Sequence, residues 1–187
     1  GSQGQFNKQL PYEESVRVPL LVRWQGRTLA ARRQDLISLV DLPVSLLGLM
    51  GLRYSGEVDG EDLHKLFTDE QSAGREDCYI YDLTACHYSQ RRGTPQWRGV
   101  RTQRYTYAKS VADGPWLLYD NAADPYQLRN LAGLPGMERI QAELDRKVHE
   151  YAERHDGFLP WEELAAQAGL QEKWEESERY FSPEFPK

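Results

Sequence analysis

The chain has 187 residues, 40% hydrophobic and 28% charged, with a formal net charge of −6. That length suits one domain or two small ones, and the apolar share is too high for wholesale disorder. Two cysteines, Cys78 and Cys86, are too few for a disulfide-built mini-protein or a four-Cys zinc site, and no apolar run approaches the ~18 residues of a membrane span.

In chain order, V-P-L-L-V-R-W over 18–24 predicts a short strand with Pro19 near its start. D-L-P-V-S-L-L-G-L-M-G-L predicts a helix at about 42–50, with Asp41 as N-cap, Pro43 in the first turn and Gly51 as the stop. It is apolar almost all round, as for a helix buried against a sheet. Residues 53–76 are polar and Gly-bearing and read as a connection between two units. Strands follow at 78–83, 97–109 and 116–120, the last two joined around A-D-G-P as an antiparallel hairpin. On a continuous strand over 97–109, Arg101, Gln103, Tyr105 and Tyr107 share one face, and Val100, Thr102, Arg104 and Thr106 the other. D-N-A-A-D-P-Y-Q-L-R-N-L is a turn opened by Asp-Pro. Met137, Ile140, Leu144, Val148 and Tyr151 form one apolar stripe of a charged helix, and a shorter helix runs from Pro160 to Gly169. The tail, with Trp174, Tyr180 and Phe181, reads as acidic and partly ordered. The sum is α/β in class, α+β within this piece.

Charge is uneven. Residues 137–187 hold 13 Asp/Glu against 7 Lys/Arg, so the first 136 residues balance. Two basic stretches carry no carboxylate: 15–34, with Arg17, Arg23, Arg27, Arg32 and Arg33, and 83–112, with Arg91, Arg92, Arg98, Arg101, Arg104 and Lys109. They read as solvated surface or as attraction for an anionic ligand. The acidic pI of about 5.3 argues against nucleic acid. Of the histidines His64, His87, His149 and His155, the last two lie six apart on or at the end of one helix and so share no face, and adjacent Cys86 and His87 would point to opposite sides of a strand. No G-x-S-x-G, P-loop, H-E-x-x-H or Rossmann fingerprint occurs.

The segment K-Q-L-P-Y-E-E-S-V-R-V-P, residues 8–19, resembles the sulfatase family of the alkaline phosphatase-like superfamily. In that family a G-x-H-G…K…Y-E-E-S-x-R-V-P run follows a metal-binding Asp–His or Asp–Asn pair near the end of the catalytic domain. The resemblance continues in L-V-D-L-P…L-L-G-L-M-G-L, V-D-G-E-D-L, W-R-G-V-R-T-Q-R-Y-T-Y and L-Y-D-N-A-A-D-P-Y-Q-L-R-N-L, up to about residue 156.

The resemblance implies the end of an alkaline phosphatase-like α/β catalytic domain over 1–56, a linker over 57–76, and over 77–187 a small antiparallel sheet packed with a C-terminal helix and ending in an acidic tail. It implies that Lys8 contacts the sulfate, where a compact ammonium can stabilise charge developing on the leaving oxygen. Gln3 stands where many members place a sulfate-contacting His; it keeps an amide donor but carries no titrating proton. Tyr12, Glu13, Glu14 and Arg17 match positions expected to set geometry, with a buried Glu–Arg pair fixing a strand beside the site. The Cys-x-Pro-x-Arg or Ser-x-Pro-x-Arg motif of the formylglycine nucleophile is absent, since Y-I-Y-D follows Cys78 and H-Y-S-Q follows Cys86. The nucleophile and the carboxylates for Ca²⁺ or Mg²⁺ are therefore expected in an N-terminal catalytic portion, and this chain alone is expected to be inactive. The implied reaction is hydrolysis of a sulfate ester. The alternatives are phosphodiester or phosphonate monoester hydrolysis on the same scaffold, and a non-catalytic binding module. Expected partners are the sulfate ester and the catalytic portion, with neither nucleic acid nor membrane. Residues 18–50 are expected to show exposed apolar surface or an oligomeric contact. Compartment is left open, since any leader would lie upstream.

Overall fold

Aromatic and β-branched residues build the centre of the structure, a computed structural model that describes residues 2–4, 8–83 and 93–181. One four-stranded sheet runs in the order β1 (Asp77–Asp82), β2 (Trp97–Thr102), β3 (Tyr105–Ser110) and β4 (Gly114–Asp120). The helices are α1 (Glu13–Val16), α2 (Asp41–Leu49), α3 (Glu138–His155), α4 (Trp161–Gln167) and α5 (Gln171–Phe181). Contacts divide the chain into two compact units, Gly1–Arg17 with Tyr79–Lys187, and Val18–Cys78.

The strand expected over 97–109 is two strands, because the chain reverses at Gln103 and Arg104. The Thr102 hydroxyl accepts the Tyr105 N–H at 2.8 Å, a side-chain turn that replaces the Asn-Gly signal of commoner hairpins. Reversal changes the faces. Val100 pairs with Tyr107 and Tyr107 with Leu118, so these three point to one side of the sheet rather than to opposite sides. Gly99, Ala108 and Leu117 align on the other side. Only Gly fits at 99, where an added Cβ would lie 2.4 Å from the Tyr107 carbonyl oxygen. The β3–β4 hairpin forms where expected: Gly114 takes φ +76° and the Asp113 N–H bonds the Ser110 hydroxyl at 2.7 Å. Pro115 lies on β4, an edge strand, where a missing N–H costs least.

One face of the sheet is covered by α3. Its expected stripe is real: Leu144, Val148 and Ala152 are buried, and Met137, Ile140 and Tyr151 pack on the same cluster as Val100, Tyr107 and Leu118. The shorter helix also forms, with Pro160 at its N-cap and Gly169 at φ +67° after its end. The tail is more regular than expected, since α5 runs from Gln171 to Phe181.

In the unit Val18–Cys78, α2 forms but differently from expectation. Val40 takes the cap position, and Asp41, fully buried, accepts the Ser38 and Glu61 N–H groups at 2.7 and 2.8 Å and the Arg75 guanidinium. The Ser45 hydroxyl accepts the Leu63 N–H at 2.9 Å, so residues 57–76, read as a connection, are stitched to the helix. Gly51, at φ +77°, ends it: the Leu52 N–H bonds the Leu47 carbonyl and the Gly51 N–H that of Gly48, both at 2.9 Å. The strand expected over 18–24 is absent, because an extended segment becomes a strand only with a ladder partner; Leu21 is 92% exposed. Nor is α2 buried all round: Leu46 and Met50 are exposed. No helix among the described residues is long and apolar enough to cross a membrane.

Candidate functional site

Residues 8–17 lie over the sheet face opposite α3. Between Lys8 and Leu10 the backbone makes a tight reversal, the Leu10 N–H donating to the Lys8 carbonyl at 2.7 Å across Gln9. Gln9 takes φ +57°, a left-handed value uncommon for a residue with a Cβ. The indole N–H of Trp97 donates to the Gln9 carbonyl at 3.0 Å. Tyr12 then packs against Tyr119, with ring centroids 6.0 Å apart. Glu13 opens the four-residue helix α1, because the Ser15 and Val16 N–H groups both turn back to the Tyr12 carbonyl.

The expected Glu–Arg pair exists with a different principal partner. Arg101 on β2 grips the Glu13 carboxylate with two nitrogens, at 2.7 and 3.3 Å, whereas Arg17 lies 3.8 Å away and is largely exposed. Gln127, 1% exposed at φ +53°, completes the hold. Its side-chain carbonyl accepts the Glu13 N–H at 2.8 Å, and its amide donates to Asn121 at 2.8 Å and to the Thr106 hydroxyl at 3.3 Å.

Beside this segment is a shallow cavity of about 330 Å³ whose lining includes Lys8, Ser15, Tyr79, Tyr81, Asp82 and Trp97. Lys8 is exposed at its rim. Gln3 is not among the lining residues: its amide donates to the backbone carbonyls of Tyr126 and Gln127 at 2.7 and 3.3 Å. The structure thus uses Gln3 to hold the turn after β4 and places Lys8 at the cavity.

The basic stretch 83–112 does not present free cations to a ligand at its described positions. Arg98 is fully buried, paired with Asp156 at 2.9 Å. Arg101 holds Glu13, Arg104 holds Asp120 at 2.7 Å, and Lys109 holds Asp145 at 2.8 Å. Carboxylates far away in sequence neutralise a stretch that has none of its own. Arg91, Arg92, Cys86 and His87 lie outside the described residues. The Arg104 guanidinium holds the Asp120 carboxyl below the usual carboxylate range. Burial pushes the phenols of Tyr79 and Tyr107 well above theirs, Tyr107 also donating to Asp145 at 2.8 Å. His149 stacks on Phe158 at 4.9 Å and His155 on Tyr79 at 5.9 Å. Among the described residues no group of three or more His, Cys, Asp or Glu is placed to hold a metal ion, so these residues do not fit the divalent cation that the resemblance implies.

Residue-type reasoning missed Gln127 and Trp97. D-P-Y-Q reads as a turn, and nothing in a Gln announces a left-handed, buried position. The one available signal was a polar side chain within an otherwise ordinary turn.

Residues 1–154 match the family described as N-sulphoglucosamine sulphohydrolase, C-terminal. An ulvan-active sulfatase of Formosa agariphila is 34% identical over 158 residues, which cover 82% of this chain and 30% of the relative. An endo-4-O-sulfatase of Bacteroides thetaiotaomicron is 36% identical over 141 residues, 66% of this chain and 27% of the relative. A solved structure from the glycosaminoglycan metabolism of Bacteroides thetaiotaomicron superposes with a TM-score of 0.67 at 28% identity, over 87% of this chain and 36% of that one. The chain therefore spans about 30% of the length of the curated relatives it matches. It belongs to the sulfatase family and corresponds to the family's C-terminal region.

Proposed function

We propose that the complete protein hydrolyses a sulfate ester and that this chain supplies one substrate contact, Lys8, on the rim of the site. The observation that carries the reading is the family match over residues 1–154, with Lys8 exposed at the cavity beside a segment held rigidly on the sheet. A rim ammonium is suited to a tetrahedral sulfate, and its charge is worth most as the leaving oxygen becomes anionic. The names of the relatives, an ulvan-active sulfatase and an endo-4-O-sulfatase, favour a sulfated carbohydrate as substrate class. Tyr81, 55% exposed in the cavity lining, offers a ring of the kind on which a sugar face packs. The formylglycine nucleophile and the Ca²⁺ or Mg²⁺ belong, on this reading, to the N-terminal catalytic portion. Gln3 serves as a support for the 126–127 turn rather than as a sulfate ligand.

The test compares the complete protein with its Lys8→Ala variant on a sulfated saccharide and on the corresponding phosphate ester. Loss of one preorganised charge lowers kcat/KM by about 10²–10³-fold, and the sulfate ester is turned over faster than the phosphate. An unchanged rate in Lys8→Ala removes Lys8 from the site. Preference for the phosphate ester moves the protein to the phosphonate and phosphodiester branch of the scaffold. Metal-dependent turnover of an aryl sulfate by the 187-residue chain alone would refute the division of machinery.

A further inference from the structure

We infer that Trp97 and Gln127 are positioning residues that hold a strained backbone reversal and thereby set where Lys8 stands; the inference rests on the reading of Lys8 given above. The starting observation is the backbone. Gln9 sits at φ +57° while the flanking residues close a three-residue turn, with the Leu10 N–H 2.7 Å from the Lys8 carbonyl. A residue with a Cβ in this geometry is strained and persists only where its surroundings over-determine it.

Those surroundings are three side chains on the sheet and the turn after β4. The Trp97 indole, 3% exposed, donates to the Gln9 carbonyl, so the strained peptide cannot rotate without abandoning a buried N–H. Four residues on, the Gln127 side-chain carbonyl takes the Glu13 N–H, an N-terminal donor of α1 without an intrahelical partner. Arg101 takes the carboxylate of the same residue. The segment is thus fixed at both ends, at Gln9 and at Glu13, and Lys8 is the first described residue before it.

Gln127 is held just as firmly. Its left-handed backbone and 1% exposure are matched by amide hydrogen bonds to Asn121 and Thr106, and Gln3 donates to its carbonyl. Backbone strain at both Gln9, on the held segment, and Gln127, on the turn that holds Glu13, does not fit a surface that only needs covering. It suits a surface that must aim a side chain, because displacement of a reacting group by about 1 Å can cost 10²-fold in rate.

The test is a double-mutant cycle in the complete protein: Lys8→Ala, Trp97→Phe and both together. The substrate is whichever of 4-nitrophenyl sulfate and the O- and N-sulfated glucosamines the wild type turns over fastest. Trp97→Phe keeps an aromatic ring at the position and removes the N–H. It is expected to lower kcat about tenfold with KM little changed, and to lower it less than twofold when Lys8 is already Ala. Hydrogen exchange at the Leu10 amide accelerates in Trp97→Phe by more than the variant's loss of global stability accounts for. Gln127→Ala, which removes the acceptor for the Glu13 N–H, lowers kcat in the same Lys8-dependent way as Trp97→Phe. Multiplicative losses in the cycle, or an unchanged Leu10 exchange rate, would show that Trp97 is structural only and overturn the inference. If Lys8→Ala alone leaves the rate unchanged, the reading of Lys8 falls and the clamp loses its purpose with it.

Discussion

The two faces of the sheet are covered by different kinds of chemistry. Under α3, Val100, Tyr107 and Leu118 meet Leu144 and Val148 in an apolar cluster, bordered by the Arg98–Asp156 pair. On the opposite face, Trp97, Ala108, Leu117 and Tyr119 meet Tyr12, but the segment above them is tied down by directional bonds from Trp97, Arg101 and Gln127. Apolar burial is non-directional and tolerates small shifts, whereas hydrogen bonds fix a backbone in one place. The first face supplies stability; the second supplies position. Substitutions separate the two.

The largest loss of stability is expected on the α3 face. Arg98→Ala leaves Asp156 without its buried partner and costs about 3–5 kcal/mol in chemical denaturation. A loss below about 1 kcal/mol would show that the pair is replaceable by water. Gly99→Ala, on the opposite face, comes next, at about 1–3 kcal/mol, because the new Cβ meets backbone of β3 rather than a flexible side chain. Gln127→Ala, on that same opposite face, costs about 1–2 kcal/mol for its buried unpaired neighbours. Lys8→Ala stays within about 0.5 kcal/mol of wild type while carrying the large loss of rate. A stability loss at Lys8 equal to that at Arg98 would erase the distinction between the faces.

Titration gives the smallest and most graded test. Asp120 is held below the ordinary carboxylate range by Arg104, so the stability it contributes is complete above the unfolded pKa of about 3.9 and is lost as pH falls through the folded value. Tyr79 and Tyr107 are raised by burial, so their contribution is complete below the ordinary phenol value of about 10 and declines as pH rises above it. Melting temperature against pH should therefore hold between about 5 and 9 and fall on both sides. Phenolate absorbance from these tyrosines should appear only with unfolding; a normal titration near pH 10 in the folded protein would contradict their burial.

How much was legible in the sequence follows the same division. The α3 stripe, the β3–β4 hairpin and the Gly51 and Gly169 stops could be read because each is a local pattern of period or residue type. The β2–β3 reversal could not, since T-Q-R-Y carries no Gly or Asn and its turn is made by the Thr102 hydroxyl. The arginines of 83–112 looked uncompensated because their carboxylates come from residues 13, 120, 145 and 156. Lys8 was found through its motif, whereas the residues that hold its segment belong to β2 and the turn after β4, more than 80 residues away.

The most direct measurement is a crystal structure of the complete protein with inorganic sulfate bound. The account predicts the Lys8 ammonium within hydrogen-bond distance of a sulfate oxygen, Gln9 still at positive φ, and the Trp97 indole on its carbonyl. Sulfate bound elsewhere in the catalytic site, with Lys8 turned to solvent, would contradict it.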